Sequence, residues 1–243
     1  MDAPKISVVV CAFNGEKFIA EAIQSILNQT IKPYEIIVVN DGSTDQTLGQ
    51  LSPFKDLITL IDQENQGLPS ARNNGIKAAK GNLMAFLDQD DFFPEDAFKS
   101  QLEAFAEYKT ARVVFGHTQL TKEGVVVLNP EDSVLLLLMG CTMIEKSVFD
   151  EVGVFDPSML MGEDVDMFLR INEAKIPMAI HDKVVMNYRR HGENLTANSR
   201  KTQLYFIRAI KKAHDRRKKL NLPATDLQFK NINDAIKKWH TAK

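Results

Sequence analysis

The chain has 243 residues, of which 44% are hydrophobic and 26% charged, values typical of a globular protein with a sizeable core. Its two cysteines, Cys11 and Cys141, lie far apart without metal-ligand spacing, which excludes a disulfide scaffold and fits a reducing compartment. No signal-peptide pattern opens the chain, and its longest apolar run is shorter than the roughly 20 residues that span a bilayer, so we expect a cytoplasmic protein.

The net charge of −2 is unevenly distributed. Of the 30 Lys and Arg and the 32 Asp and Glu, residues 199–243 hold 13 and 3, a net charge of +10, which leaves 17 and 29, or −12, for the rest. A basic tail suggests an anionic surface. The alternatives are a helical pair packed on the body with a solvated basic face, peripheral contact with a membrane, and nucleic-acid binding. No aromatic platform or recognition motif supports nucleic acid.

Strands and helices alternate through the first 115 residues. The predicted strands are 6–10, 35–39, 57–61, 83–87 and 113–115, and the predicted helices are 18–29, a short segment after residue 45, 67–80 and 95–108. This alternation predicts an α/β fold with a Rossmann-like, mostly parallel sheet and helices on both faces.

The second half of the chain has a mixed pattern. We predict a hairpin over residues 118–128 that turns at 122–124, strands at 141–145 and 184–188, and helices at 146–152 and 163–174. A basic helix at 201–220 and another helix at 226–239 follow. A boundary near residue 198 separates this tail from the body.

Three carboxylates follow the apolar run 83–87: Asp88, Asp90 and Asp91. They end a predicted parallel strand, and ligands bind at that edge of open α/β sheets. Neighbouring carboxylates repel one another unless a cation offsets their charge, and Mg²⁺ uses one or two protein carboxylates together with substrate phosphates. The pattern indicates either a metal–diphosphate site or a solvated acidic turn before the next helix.

Two more loops, 11–15 and 40–43, should reach the same edge. They lack both the glycine spacing of a dehydrogenase turn and a Walker pattern. Asp41 would either accept a hydrogen bond from a nucleotide or cap a helix, and Phe13 would either stack on a base or pack in the core. Arg72 lies near the start of the helix 67–80, where it would meet a diphosphate or base, or form a surface salt bridge.

Five segments carry a family resemblance: VVVCAFNGE at 8–16, VVNDGSTD at 38–45, NQGLPSARN at 65–73, FLDQDD at 86–91 and GEDVDMFLR at 162–170. In this order they resemble the family 2 inverting glycosyltransferases, which have the GT-A fold. The likeness covers residues 5–196. It implies a nucleotide-binding half at 1–115 and an acceptor-binding half at 116–198 within one domain, 1–198, and leaves 199–243 as a basic helical extension.

The resemblance implies a nucleotide-sugar donor, most often a UDP-sugar, and a divalent cation, Mn²⁺ or Mg²⁺. The residues it implies are Cys11, Ala12, Phe13, Glu16, Asp41, Arg72, Asp88 and Gln89 for the nucleotide, Asp90, Asp88 and His191 for the metal, and Asp164, the general base, with Glu163 for catalysis. Two alternatives stay open from the residues alone. Glu163 and Asp164 would also suit a helix N-terminus through its dipole, and His191 would also suit a hydrogen-bonded surface position.

The sequence departs from the family pattern at two places. Cys11-Ala12-Phe13 stands where a Pro and a Tyr are usual, and no Gln-x-x-Arg-Trp motif follows Asp164. We therefore predict a non-processive enzyme that adds one sugar to a saccharide or lipid-linked acceptor in cell-envelope polysaccharide biosynthesis. It would be cytoplasmic, with peripheral contact at the inner membrane face through the tail. The alternatives are a non-catalytic nucleotide-sugar-binding scaffold and a sugar-nucleotide pyrophosphorylase, which would need a Gly-rich basic loop at 11–17.

Overall fold

The computed structural model describes residues 3–122, 125–126, 133–192, 194 and 199–221. The helices in these ranges are α1 (Ile19–Leu27), α2 (Thr47–Leu51), α3 (Leu68–Ala78), α4 (Ala97–Glu107), α5 (Val148–Val152), α6 (Glu163–Glu173) and α7 (Ser199–Lys219). The strands are β1 (Ile6–Ala12), β2 (Glu35–Asp41), β3 (Thr59–Gln63), β4 (Leu83–Asp88), β5 (Val113–Lys122), β6 (Val125–Val126), β7 (Thr142–Glu145) and β8 (Met178–Arg190).

These eight strands form one sheet, and seven of them lie in the order β3-β2-β1-β4-β7-β5-β6. The eighth strand, β8, pairs with the edge of β5 opposite to the one that pairs with β7 and β6. Strands β1 to β4 pair in parallel, so β1, β2 and β4 end at the same edge. Strand β7 runs antiparallel between β4 and β5, and β8 pairs in parallel with β5. The sheet is therefore continuous from the first half of the chain to the second.

The core lies on both faces of the sheet because successive side chains of a strand point to opposite faces. Val8 and Val10 of β1 pack on the side of α1, against Ile19 and Ile23. The intervening Val9 packs on the other side, with residues of α3 and α6. Continuous apolar runs such as β1 and β4 are typical of strands covered on both faces, which explains why they were predictable.

The structure corrects two strand predictions. Residues 113–115 and 118–122 do not form separate elements; they belong to the single strand β5, whose pairing is irregular around His117. Of the predicted hairpin, β5 and β6 do pair antiparallel, while residues 123–124 and 127–128 lie outside the described residues. The last strand is not 184–188 but Met178–Arg190, because backbone pairing with β5 extends it through a mostly exposed stretch of mixed apolar and polar residues.

Helix α7 packs against α6. The predicted boundary near residue 198 and the predicted helix at 226–239 lie outside the described residues. None of the helices in the described ranges combines the length and the hydrophobicity needed to cross a membrane.

Candidate active site

A buried arginine joins the end of β4 to the start of α6. Arg72, on α3, donates through Nη2 to Asp88 Oδ1 (2.9 Å) and through Nη1 to Glu163 Oε1 (2.9 Å) and to Asp164 Oδ1. The guanidinium also lies 5.4 Å from the ring centre of Phe155. A planar cation with several donors can hold three carboxylates together, whereas each carboxylate alone would be costly to bury. Of the two roles predicted for Arg72, the salt bridge is present, but with a buried guanidinium and not at the surface; contact with a diphosphate or base stays a prediction.

The two acids at the start of α6 are harder to ionise than ordinary carboxylic acids. Burial raises the pKa of Glu163 to about 7, with a further increase from the charge of Asp164, against the opposing effect of Arg72. Burial also raises the pKa of Asp164, while Arg72 and the backbone N–H of Met139, 3.0 Å from Oδ2, act in the opposite direction. A carboxylate with a raised pKa is a better proton acceptor once it is ionised.

Asp41, at the end of β2, organises the entry to α3. Its carboxylate accepts hydrogen bonds from Gln63 Nε2 (2.7 Å) and from the backbone N–H groups of Gln66 and Gly67 (both 2.8 Å). A carboxylate has about four lone-pair positions, so capacity remains for one more donor. In this geometry Asp41 shapes the loop that leads to Arg72.

Phe13 is held out of the core. Its side chain is 46% exposed beyond the end of β1, and its backbone exchanges two hydrogen bonds with the amide of Gln89: Phe13 N to Oε1 (2.8 Å) and Gln89 Nε2 to Phe13 O (2.9 Å). The adjacent Gly15 leaves room for this amide, since a Cβ there would lie 2.1 Å from Gln89 Oε1. The ring is therefore available for stacking at the sheet edge.

Cys11 and Ala12 have side chains buried within β1. Burial raises the pKa of the Cys11 thiol, which therefore remains protonated and unreactive at neutral pH. The nucleotide contact that the resemblance implies for these two residues would be made by their backbone.

The first and second loops are joined by side-chain-to-backbone hydrogen bonds. Asn14 Oδ1 accepts from Thr44 N (2.8 Å), Asn14 N donates to Ser43 Oγ (2.9 Å) and Glu16 Oε2 accepts from Gln46 N (2.8 Å). Glu16 is thus placed at the start of α2. These bonds fix the loop that carries Phe13 relative to the end of β2.

Asp90 and His191 come together from positions 101 residues apart, with His191 Nε2 2.9 Å from Asp90 Oδ2. Asn194 Nδ2 donates to the same carboxylate oxygen (3.0 Å). Burial and, to a smaller extent, the nearby Asp88 raise the pKa of Asp90, and the hydrogen bond with His191 acts in the opposite direction. A carboxylate and an imidazole are both metal-ligating groups, so this pair fits a divalent cation.

No group of three or more His, Cys, Asp and Glu side chains lies close enough to hold a metal ion within the described parts of the chain. The implied set of Asp90, Asp88 and His191 is thus represented by the contacting pair Asp90 and His191, while Asp88 binds Arg72. The other coordination positions would fall to diphosphate oxygens and water, as is usual for Mg²⁺. Asp90, Asp88 and His191 all stay predicted metal ligands.

Sequence reasoning missed Arg189 and Asn194. The backbone N–H of Arg189 donates to Asp91 Oδ1 (2.9 Å), and its side chain binds Asp90 O (3.0 Å) and Glu21 Oε2 (2.6 Å). The sequence signal for Arg189 was its position two residues before the predicted metal ligand His191. Asn194 carries no recognisable sequence signal. Together they hold the acidic turn against the end of β8.

The chain resembles known glycosyltransferases in sequence. The family model described as glycosyl transferase family 2 matches residues 7–162. An uncharacterized glycosyltransferase of Rickettsia typhi is 31% identical over 212 residues, which cover 76% of this chain and 67% of that protein. The chondroitin synthase of Escherichia coli is 30% identical over 204 residues, covering 79% of this chain but only 30% of the synthase. The chain thus spans about a third of the synthase's length.

Solved structures of Staphylococcus aureus TarS have the same fold. The complex of TarS 1–349 with UDP-GlcNAc superposes with a TM-score of 0.66 at 21% identity, covering 80% of this chain and 61% of that one. The UDP complex gives a TM-score of 0.63 at 21% identity, covering 83% and 65%. The predicted GT-A type of α/β fold is thereby confirmed. Because the family model matches more than half of the chain, the protein belongs to glycosyl transferase family 2.

Proposed function

We propose that the protein is a non-processive inverting glycosyltransferase that moves one sugar from a nucleotide-sugar to an acceptor hydroxyl, with Asp164 as the general base. The observation that carries the proposal is the cluster around Arg72. It places Asp88, at the donor edge of the sheet, and Asp164, at the start of α6, on the same guanidinium. The acid proposed to face the donor and the acid proposed as the base thus bind the same guanidinium.

The donor we propose is a UDP-sugar. Phe13 offers an exposed ring at the sheet edge, and Asp41 retains capacity for one further hydrogen bond beside it. The solved TarS structures with UDP-GlcNAc and UDP support a uridine nucleotide, since their fold is shared. Arg72, Asp88 and Gln89 would surround the diphosphate and ribose, Gln89 by holding the Phe13 loop.

Asp90 and His191 would hold a divalent cation, Mn²⁺ or Mg²⁺, with Asp88 nearby. The chemistry supplied by such a cation when bound is neutralisation of charge on the leaving diphosphate. Arg189 and Asn194 keep both ligands in place through their hydrogen bonds to the acidic turn and to His191. These positioning bonds are the protein's own contribution to the site.

Asp164 would accept the proton of the acceptor hydroxyl. As the O–H bond breaks, the acceptor oxygen bonds to the anomeric carbon from the face opposite the diphosphate, and the bond to the diphosphate breaks, so the configuration inverts in one step. Met139 N–H orients Asp164 Oδ2, and Arg72 favours the ionised form. Glu163, with its pKa raised to about 7, would support the same cluster.

The proposed partners are a saccharide or lipid-linked acceptor, bound by residues 116–198, and an anionic membrane surface at the inner face, contacted by the tail 199–243. Nucleic acid is not a proposed partner. This division assigns residues 1–115 to the donor, and the proposed setting is cell-envelope polysaccharide biosynthesis.

Nucleotide binding and turnover test the proposal. We expect UDP with Mn²⁺ to raise the melting temperature more than UDP alone, GDP or dTDP, because a ligand that binds only the folded state stabilises it by about 2.7 kcal/mol at a hundredfold excess over Kd. Asp90→Asn should abolish the additional rise in melting temperature that Mn²⁺ causes. The exposed control Asp150→Asn should keep this rise. Nucleotide binding without release of UDP from any UDP-sugar would favour a non-catalytic scaffold instead.

A further inference from the structure

The outward surface of α7 is unusually apolar for a surface helix. Leu204, Ile207 and Ile210 are 61%, 61% and 44% exposed. They lie within two turns of one another on the side turned away from α6, and Lys211 and Lys218 continue the same side towards the C-terminal end. We call these five residues the α7 outer face. Surface helices normally direct polar residues outward, so a contiguous apolar group there marks an interaction site.

The inward side of α7 is already occupied by the body of the protein. Ala209 and Ala213 are buried. Arg216 binds Asp166 Oδ1 (2.7 Å) and Glu173 Oε2 (2.9 Å) of α6, and Lys212 binds Asp156. The orientation of the helix is therefore set by these contacts. Its apolar outer residues are not needed to attach it to the body.

The charge of α7 complements an anionic surface. The helix carries nine Lys and Arg against one acid, Asp215. Two of the nine, Lys212 and Arg216, pair with acids of the body, and four others, Arg208, Lys211, Lys218 and Lys219, are exposed. An apolar stripe combined with excess Lys and Arg is the composition of helices that lie in a membrane interface. Nucleic acid would instead favour a platform of several exposed aromatic rings, whereas α7 exposes Phe206 beside three large aliphatic side chains.

The N-terminal part of α7 lies close to the residue that precedes the proposed catalytic acids. A Cβ on Gly162, the residue before Glu163 and Asp164, would lie 3.3 Å from the backbone oxygen of Tyr205. Tyr205 is therefore against the start of α6, one position from Leu204. The loop that precedes Gly162 also exposes Leu160. Exposed apolar groups of α7 and of this loop thus lie near the start of α6.

We infer that the α7 outer face docks on an anionic lipid bilayer, with Leu204, Ile207 and Ile210 entering the headgroup region and Lys211 and Lys218 contacting lipid phosphates. The inference deepens the proposed function and rests on it in one respect: docking presents the base-bearing end of α6 to a lipid-linked acceptor. The binding itself depends only on the surface.

Co-sedimentation of the full-length protein with vesicles tests the inference. The probes are neutral vesicles of phosphatidylcholine and anionic vesicles that also contain 30% phosphatidylglycerol (about a 7:3 mixture). We expect binding to the anionic vesicles only, weakened by 0.5 M salt through screening. The double variant Leu204→Gln and Ile207→Gln should lower the partition coefficient about tenfold through lost apolar burial. The double variant Lys211→Gln and Lys218→Gln should lower it about fivefold per lysine.

Matched variants on other faces serve as controls. Leu57→Gln with Leu60→Gln removes two residues that are 57% and 44% exposed, and Lys77→Gln with Lys80→Gln removes two exposed lysines. Both control proteins should bind vesicles as the parent does. Equal loss in the controls and the α7 variants, or no vesicle binding by the parent, overturns the inference.

Two other occupants of the surface give distinct outcomes, and both overturn the inference. If a second copy covers the face, light scattering shows a dimer that Leu204→Gln with Ile207→Gln dissociates, without vesicle binding. If nucleic acid binds, the lysine variant loses affinity for it and the leucine–isoleucine variant does not. UDP binding in solution should be unchanged in all α7 variants, so failure of docking with intact UDP binding contradicts this inference alone. Failure of UDP binding with intact docking contradicts the proposed function alone.

Discussion

Asp164 and Glu163 are adjacent in sequence, are both buried, and share one nitrogen of Arg72, yet their surroundings differ. Asp164 is also held by a backbone N–H from a distant segment, that of Met139, whereas the backbone N–H that acts on the Glu163 carboxylate is its own. A general base must be held in a defined orientation as well as have a suitable pKa. This difference in orientation, rather than charge, is the reason to assign proton transfer to Asp164.

The first prediction concerns these two acids. Asp164→Asn should lower kcat about 10²- to 10⁴-fold, the usual contribution of a general base, while UDP affinity stays within about twofold. Glu163→Gln should have a smaller effect. Steady-state kinetics with a UDP-sugar, with Asp150→Asn as the control, measure both. A larger loss in Glu163→Gln than in Asp164→Asn would assign the base to Glu163.

Arg72 gives the second prediction, because its positive charge lowers the pKa of Asp164. Arg72→Met removes that charge, so the pKa of Asp164 should rise and the acidic limb of the pH profile of kcat should move to higher pH. Arg72→Lys keeps a charge without the fork of donors and should shift the limb less. The readout is the full pH profile of each variant. A raised KM with an unmoved profile would mean that Arg72 acts on the donor diphosphate instead.

At the scale of elements, the loop after β1 depends on a close approach between backbone and side chain. Gln89 can pair with Phe13 only because Gly15 has no Cβ. The Gln89 amide therefore extends the connection between β1 and β4 beyond their backbone pairing, which reaches Cys11 and Asp88. The position of the Phe13 ring follows from that connection.

The third prediction is that Gly15→Ala weakens UDP binding. The new methyl group would displace the Gln89 amide, and Phe13 would lose both of its backbone hydrogen bonds. We expect Kd for UDP to rise about tenfold, consistent with two hydrogen bonds of about 1 kcal/mol each, part of whose loss the loop can relieve. Gly49→Ala, inside α2 and away from this contact, is the control and should leave Kd unchanged. Calorimetric titration with UDP measures it, and equal Kd values for both variants would show that the Phe13 loop does not hold the nucleotide.

The contact between α6 and α7 gives the fourth prediction. Arg216 pairs with Asp166, which is buried and also binds Arg170 Nε (3.0 Å). Arg216→Ala leaves that carboxylate with one partner, so the free energy of unfolding should fall by about 2 kcal/mol. Lys211→Ala, which removes an exposed pair with Asp215, should cause almost no change. Urea denaturation measures both, and equal effects would mean that α7 contributes little to the stability of the body.

At the scale of the whole molecule, buried acids make stability depend on pH. The pKa of Glu163 is about 7 in the folded protein, against an ordinary value of 4.5. Between these pH values the folded protein retains a proton that the unfolded chain releases, so the free energy of unfolding falls as pH rises from about 4.5 to about 7. Asp156 acts in the opposite sense: Lys212 lowers its pKa to about 2, so its stabilising contribution is present above its ordinary pKa of 3.8 and is lost as pH falls to about 2.

The fifth prediction separates these two groups. Glu163→Gln should raise the free energy of unfolding of the ligand-free protein at pH 8 by about 3 kcal/mol more than at pH 4, since one pKa unit corresponds to about 1.4 kcal/mol. Asp156→Asn should lower the free energy of unfolding by a constant amount from pH 5 to pH 8, and should flatten the curve only below about pH 4. Urea denaturation across this pH range provides the measurement. A parallel displacement of the whole curve in Glu163→Gln would contradict the assigned titration.

The sequence by itself determined the parts of this protein that depend on local pattern. The strands Ile6–Ala12, Glu35–Asp41 and Leu83–Asp88 have continuous apolar centres, because strands covered on both faces need apolar side chains on both sides. The alternation with helices then predicts parallel order, and parallel order predicts that Asp41 and Asp88 end at one edge. The family resemblance follows from the same local segments.

Only the tertiary structure decided which distant residues meet. Nothing local places β7 between β4 and β5, extends β8 through its exposed residues, or directs Arg72 to Glu163 and Asp164, 91 and 92 residues away. Tertiary packing also brings Asp90 to His191 and places α7 on α6. Local propensity and apolar periodicity are set by near neighbours in the chain, whereas ion pairs and strand partners are set by packing of the whole fold.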